Sequence, residues 1–525
     1  MRLKIRIAAR TSDLARIQAY TVGETLEKSV GAEIEYAFRK SLGDLNQSDP
    51  LWKMPEKGVF TEDFRADLLS GACDLVVHSW KDLPTETRPE TRIAATLPRA
   101  DMRDLLLFKK SSRDALTGAG LKVVKILSSS PRRAYNLTPF LSEYLPASPD
   151  RGHAEIEFLS VRGNVPTRLR KLVEGEADGL IVAKAALDRI LETTHPEWAE
   201  VRSEIRKTLS QKSWMVLPIS ANPPAAAQGA LAIEVRSDRK DLEEILSQIN
   251  CASTYSSVTE EREILRGHGG GCHQKIGVAV LPRDYGTVLS LRGLTDRDGE
   301  LREFQLRANR SENSVPSRVD DVEAGPSRNV LFPLPGAFSP FTRKIVPAQN
   351  PGGALWISKA EALPKNWRIS SEQIVWTSGL SSWKKLATRG VWVNGSAEGL
   401  GESEAARIQT LVGRVVPFTK LGHTDGVQGE FPLLATYELA ERSDMANHLG
   451  EFSAHLGSVT HFYWMSGSLF DYCAKLNPDI FSAHHSCGPG HTRFRLRERL
   501  SAKMEKTIEP RIFSSIDEWR KEFQS

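Results

Sequence analysis

Apolar positions along residues 3–190 alternate between short continuous runs and helical spacings, a pattern that predicts α/β domains. Residues 5–8 read as a strand, and 14–26 as a helix with Leu14, Ile17, Tyr20 and Val22 broadly on one side. Phe60, Phe64 and Leu68 recur at helical spacing, and Gly71 ends that helix. Asp74-Leu75-Val76-Val77-His78 predicts a buried strand running into the loop Ser79-Trp80-Lys81-Asp82-Leu83-Pro84. A second unit over roughly 100–215 carries strands at 123–127, 156–160 and 179–183. A Pro/Ala-rich stretch then leads to a strand at 230–235, and 245–308 reads as a smaller α+β unit. From about 308 to 353, Ser, Pro, Asn and Gly dominate and periodicity fades, which predicts a partly extended linker. Strand patterns resume at 355–357, 374–376 and 462–465. Two phrases, Val375-Trp376-Thr377-Ser378-Gly379 and Tyr463-Trp464-Met465-Ser466-Gly467, both run from strand into Ser-Gly and hint at two related half-units.

A chain of 525 residues is too long for one core and should hold three or more domains. Its 40% apolar and 26% charged content is that of a soluble globular protein. The net charge of +4 leaves 70 basic residues almost balanced by 66 acidic ones, which gives poor support for bulk attraction to nucleic acid and predicts local rather than global anion recognition. Cys73, Cys251, Cys272, Cys473 and Cys487 are scattered without CxxC spacing, which suits a reducing cytoplasm better than a disulfide framework. Residues 1–8 lack the apolar core of a signal peptide, and no run reaches the roughly 18 apolar residues of a membrane span. A cytoplasmic protein with small-molecule partners, no nucleic acid and no membrane, is expected.

Candidate chemistry concentrates in loops. Lys81 and Asp82 lie beyond the end of a buried strand, where open parallel sheets gather ligands, although Asp before Leu-Pro also suits a plain turn. In Ser128-Ser129-Ser130-Pro131-Arg132-Arg133, Ser130 suits an N-cap and Pro131 the first helical position. Such a helix start favours anions, and paired arginines can grip carboxylates; a capped helix with surface arginines is the plainer alternative. Val161-Arg162-Gly163-Asn164-Val165-Pro166-Thr167-Arg168 sets Arg162 and Arg168 around a second helix start, and Arg10-Thr11-Ser12 follows the first strand. Together these favour a pocket for several carboxylates. Gly58, in Lys57-Gly58-Val59-Phe60, permits close backbone approach to a ligand. Cys272 ends Gly269-Gly270-Gly271-Cys272, an exposed thiol on a glycine loop rather than a buried cysteine, and it lacks the neighbours of a metal site.

These segments, with Ala227-Gln228-Gly229-Ala230, resemble hydroxymethylbilane synthase (porphobilinogen deaminase) in that family's order and spacing, over residues 2 to about 310. The resemblance implies an α/β fold of three domains, the first two similar to periplasmic binding proteins: 1–99 with about 225–244, then 100–224, then 245–308. It implies a dipyrromethane cofactor joined to Cys272 by a thioether, onto which four porphobilinogen molecules are added with release of ammonia, giving 1-hydroxymethylbilane. Asp82 would bind pyrrole N–H groups and stabilise the cation formed as ammonia leaves, with Lys81 and Arg10 beside it. Ser128, Ser129, Ser130, Arg132 and Arg133 would hold the cofactor; Arg10, Ser12, Lys57, Arg162, Arg168 and Gln228 would hold substrate. Departures from the family pattern are Pro131 for leucine, Ser128 for threonine, Ala225-Ala226-Ala227 for glycine before Gln228, and a longer stretch at 191–222.

After a linker at 309–353, residues 354–525 resemble uroporphyrinogen-III synthase, a lyase of two linked α/β domains that cyclises hydroxymethylbilane. The region is short for that family, so 330–353 could supply part of a domain. The resemblance implies that Ser378, Ser466, Ser468 and Thr492 meet propionates and that Tyr437 assists loss of the substrate hydroxyl. The alternatives are a degenerate or regulatory module and, for the whole chain, a small-anion binding protein. His484, His485, Cys487 and His491 lie within eight residues, but the Gly-Pro-Gly turn among them argues against a metal site, so no metal is expected. A multifunctional, monomeric enzyme of porphyrin and heme biosynthesis is the resulting expectation.

Overall fold

The computed structural model describes residues 3–40, 62–118, 120–150, 152–269, 274–307, 330–333, 339–404, 406–426, 429–505 and 507–523. The chain forms two compact units. One comprises Met1–Pro282, Ser290–Glu303 and Arg407–Arg414; the other comprises Arg283–Leu289, Phe304–Ala406 and Val415–Ser525.

The first unit holds two five-stranded sheets of matching plan. In the first lobe the spatial order is Glu33–Arg39, Lys4–Arg10, Leu75–Ser79, Leu231–Arg236, Thr91–Ala95. Its first three strands are parallel, and Leu231–Arg236 runs antiparallel to both neighbours. Alternation along the central strands explains why both faces are covered. Ile5, Ile7 and Val77 pack with Val22 and Leu26 of the helix Asp13–Val30. Ala8 and Val76 turn to Phe64 and Leu68 of the helix Glu62–Ser70. The second lobe orders its strands Glu155–Leu159, Val123–Leu127, Gly179–Ala183, Asp104–Lys109, Lys212–Val216. Again the first three are parallel, and Asp104–Lys109 runs antiparallel to both neighbours. The helix Ala252–Gly267 follows, and then come the strands Gly277–Arg283, Gly286–Leu294 and Glu300–Arg307, which the division into two units cuts through.

The second unit contains a six-stranded sheet, ordered Phe341–Ile345, Leu433–Glu441, Phe418–His423, Ala354–Ile357, Ile374–Thr377, Gly395–Ser396. Its pairings are parallel except for that of Phe341–Ile345 with Leu433–Glu441. A second sheet, ordered Leu331–Phe332, His461–Trp464, His484–Cys487, Arg511–Ile512, is parallel throughout. The two repeated phrases are the first strand-to-helix turns of different sheets, leading into the helices Leu380–Thr388 and Gly467–Leu476.

The expectation of a linker throughout 309–353 needs correction. Leu331–Phe332 and Phe341–Ile345 are sheet strands, each paired with chain about a hundred or more residues downstream. Phe332 is buried among Phe452, Phe462 and Trp464. Pro and Ser around so short an apolar pair conceal a strand whose partner is remote in sequence. Within the histidine cluster, His485 and Cys487 are core material. His485 accepts from the Trp464 indole at 2.8 Å through Nδ1 and has Nε2 3.0 Å from the Ile480 carbonyl. No group of three or more potential ligands is placed to hold a metal ion among the described residues.

Candidate active site

In the first unit, loops from both lobes supply the site. Arg10 ends the strand Lys4–Arg10, and Ser12 takes the N-cap position of the next helix without a side-chain capping bond, which leaves its hydroxyl unspent there. Lys81 and Asp82 occupy a single 3-10 turn, Trp80–Asp82, directly after the buried strand Leu75–Ser79. Trp80 anchors that turn: its side chain packs with Ala227, Ala230 and Val258, and its N–H donates to the Ala230 carbonyl at 3.1 Å. Asp82 is exposed, and its carboxylate accepts no hydrogen bond from the described residues.

From the second lobe come two helix starts stitched together. Ser130 caps Pro131–Tyr144, accepting from the Arg133 N–H at 3.4 Å, and Asn164 caps Val165–Glu174, accepting from the Thr167 N–H at 3.0 Å. The Ser129 hydroxyl accepts from the Val161 N–H at 2.8 Å and so joins the two loops. Ser128 is buried, and its Oγ accepts from the Ser130 N–H at 3.4 Å.

Arg132 and Arg133 differ from their expected role as outward carboxylate grips. Only 4% and 7% exposed, they converge on Asp104, which is fully buried. Arg132 reaches Asp104 at 2.9 Å, Asn222 at 3.0 Å and the Pro223 carbonyl at 2.6 Å. Arg133 makes bonds of 3.0 and 2.7 Å to the two Asp104 oxygens and one of 3.3 Å to the Ile181 carbonyl. Burial alone would raise the Asp104 pKa; the Arg133 and Arg132 charges override it and hold the carboxyl well below its usual range. Gln228, expected as a substrate contact, is likewise 1% exposed, and its amide donates to Asp104 at 2.9 Å and to the Met102 carbonyl at 2.7 Å. These three side chains build the wall of the site, because a guanidinium buried without a counter-charge would be prohibitively costly.

Lys81 donates to Gln228 at 3.4 Å within the first lobe, and Gln228 in turn bonds Asp104 of the second. Burial pushes its ammonium below the ordinary lysine range; Asp82 opposes the shift and Arg133 reinforces it. Arg168 donates to the Gly163 carbonyl at 2.8 Å and is lowered by burial, then by Arg133 and Arg162 nearby. Lys81, Arg162 and Arg168 therefore share one positive field with the buried arginine pair, which bonds one carboxylate, Asp104, among the described residues and so keeps an excess of positive charge. Such a field suits a polycarboxylate. Lys57 and Cys272 lie outside the described residues.

Sequence reasoning missed the carboxylates that make this possible. Asp104 opens the buried run Asp104-Leu105-Leu106-Leu107-Phe108, where a charge demands a partner, and that was the available signal. Glu261, fully buried, takes Arg99 in bonds of 2.6 and 2.8 Å and the N–H groups of Ala227 and Val280. Nothing local in the sequence marks it.

Residues 5–244 match the family description of the dipyrromethane-cofactor-binding domain of porphobilinogen deaminase. The chain is 36% identical over 292 residues to porphobilinogen deaminase of Syntrophomonas wolfei, spanning 55% of this chain and 84% of that one. With the Lawsonia intracellularis enzyme of the same name it shares 34% over 326 residues, 60% of this chain and 91% of the relative. The chain belongs to the porphobilinogen deaminase family. Among solved structures, a periplasmic aliphatic sulphonate binding protein of Escherichia coli aligns over 51% of this chain and 76% of its own, at 12% identity and a TM-score of 0.24. No helix among the described residues of this deaminase-family chain is long and apolar enough to cross a membrane.

The second unit carries its own polar cluster. Tyr437 is buried in the strand Leu433–Glu441, with the Arg343 guanidinium 5.7 Å from its ring; burial raises the phenol pKa and Arg343 opposes this. Ser378 accepts from the Trp356 indole at 3.0 Å, Ser466 caps Gly467–Leu476, and Thr492 lies in the first turn of His491–Met504. Ser468 meets His423 Nε2 at 3.5 Å, and the His423 ring stands 5.9 Å from that of Tyr437. His423 was not anticipated; nor was Glu402, which pairs with Lys420 and, at 2.8 Å, with His491.

Proposed function

We propose that the first unit acts as a hydroxymethylbilane synthase, joining four porphobilinogen molecules head to tail with release of ammonia. The observation that carries the reading is the convergence of an uncommitted carboxylate, Asp82, with the positive field of Lys81, Arg162 and Arg168. That donor set fits dipyrromethane: cationic groups and helix starts suit acetate and propionate arms, and a carboxylate suits pyrrole N–H groups. When bound through Cys272, dipyrromethane supplies the primer to which substrate is joined. Asp82 accepts N–H hydrogen bonds and stabilises the positive charge that grows on the substrate as its amine departs. Lys81, Arg10, Ser12, Arg162 and Arg168 orient carboxylates, while Ser128, Ser129 and Ser130 hold the helix starts in place. Arg132, Arg133 and Gln228 support these groups from behind.

For the second unit we propose uroporphyrinogen-III synthase activity. Two α/β sheets, one of them edged by the antiparallel pair Phe341–Ile345 and Leu433–Glu441, support that reading. Tyr437 sits with Arg343 and His423, where a hydroxyl leaving group could be protonated. Joining both activities in one chain raises the effective concentration of an unstable product at the second site. The test is the product isomer formed from porphobilinogen by the full chain. The proposal expects the macrocycle with its last ring inverted, and a fall of about 10²-fold in its formation for Tyr437→Phe, within the range of general acid catalysis. Only the symmetric isomer of uncatalysed closure, in protein that still consumes porphobilinogen, would assign the second unit to a degenerate or regulatory role.

A further inference from the structure

The turn carrying Lys81 and Asp82 is held from behind by one side chain that nothing in the chemistry above employs. Arg262, on the helix Ala252–Gly267, donates through Nη1 to the carbonyls of Trp80 and Leu83, each at 3.2 Å, and through Nη2 to the carbonyl of Pro84. Trp80 and Leu83 bracket Lys81 and Asp82, so fixing both carbonyls fixes the peptide units between them. Packing of Trp80 with Ala227, Ala230 and Val258, and of Leu83 and Tyr255 against that cluster, holds the turn's side chains but does not fix its carbonyls. The turn backs onto a cavity of about 340 Å³ whose lining includes Trp80, Leu83, Pro84, Tyr255 and Arg262. Beyond it, the turn has the Trp80 N–H bond to Ala230 and its own Leu83 N–H bond to the Trp80 carbonyl at 3.2 Å.

The helix that bears Arg262 is itself rigidly seated. Its neighbour Glu261 takes Arg99 and two backbone N–H groups, and Val258 and Tyr255 pack against the Trp80 cluster. That helix precedes the glycine-rich segment ending at Cys272 in the sequence. We infer that Arg262 is a positioning residue: it sets the location of the Asp82 carboxylate by clamping three carbonyls of its loop to the helix Ala252–Gly267. A planar guanidinium serves several carbonyls at once, which the single ammonium of lysine cannot do in the same geometry. This inference rests on the role proposed above for Asp82.

A double-mutant cycle on the full-length chain tests it, with Arg262→Gln, Asp82→Asn and the pair, read by steady-state ammonia release. Because displacement of a reacting group by about 1 Å can cost 10²-fold, Arg262→Gln should lower kcat by about 10–100-fold while KM moves less than about 3-fold. In the Asp82→Asn background the same change should cost less than about 2-fold, since no carboxylate remains to be placed. Arg262→Lys should recover part of the loss, and it carries the same cycle if the glutamine variant does not fold. Equal fold losses in both backgrounds, or an unchanged kcat in Arg262→Gln, would overturn the inference. Full activity in Asp82→Asn alone would instead remove the role assigned to Asp82, so the two failures are distinct.

Discussion

At the scale of single residues, Asp104 decides how the arginines are used. One buried carboxylate receives two guanidiniums and the amides of Asn222 and Gln228, so its removal would strand two cations at once. Replacing Asp104 with Asn keeps the shape but removes the counter-charge. The expected loss is about 3–5 kcal/mol of stability, the scale for breaking one partner out of a buried ion pair. Urea unfolding would read it as a lower midpoint for the first unit's transition. An unchanged midpoint would mean that Arg132 and Arg133 find other compensation. Ala227 shows a smaller strain at the same scale. It holds φ at +66°, a region that favours glycine, and its N–H is fixed by Glu261 at 2.8 Å. Alanine in place of the family's glycine is therefore tolerated at a conformational cost.

At the scale of elements, strands buried on both faces were the most legible. Residues 5–8, 74–78, 123–127 and 179–183 announce themselves as apolar runs; the strands Val123–Leu127 and Gly179–Ala183 have the expected bounds, and Lys4–Arg10 and Leu75–Ser79 differ by one or two residues at their ends. Helix starts were legible for the same local reason: Ser130-Pro131 and Asn164 are capping signals, and both caps form. Edges and long-range partners were not. Leu331–Phe332 has only two residues and becomes a strand through pairing with His461–Trp464. Within the site, Lys81 and Asp82 could be placed from the strand before them, whereas Arg262 and Glu261 lie on an ordinary amphipathic helix and reveal themselves only by what they touch. The strand His484–Cys487 carries a pH prediction. Burial lowers the His485 pKa from its ordinary value near 6.5 to about 4, with the Ile480 carbonyl opposing and His484 adding to the shift. Between those values the unfolded chain binds the extra proton and the folded one does not, so stability rises with pH across that window. The second unit should lose up to about 3 kcal/mol from this group as pH falls from 6.5 to 4, at 1.36 kcal/mol per pKa unit. A His485→Gln variant, compared by thermal unfolding at both ends of the window, should show a flatter pH dependence; an equal slope would contradict the assignment.

At the scale of the whole molecule, one chain would be both the scaffold of the reaction and the covalent anchor of its primer. Membership of the porphobilinogen deaminase family, and a positive field beside a carboxylate that accepts no hydrogen bond from the described residues, support this from independent directions. The weight of the account falls on the thiol of Cys272, since a tethered, growing polycarboxylate is what Asp82 and its cationic surroundings are arranged to serve. The most direct measurement is the intact mass of the purified full-length chain beside that of a Cys272→Ser variant. An excess of about 420 Da, two pyrrole units on a reactive thiol, present in the first and absent in the second, is the predicted result. Folded, unmodified protein that still consumes porphobilinogen would contradict the covalent primer, and the same excess retained in Cys272→Ser would place the attachment elsewhere.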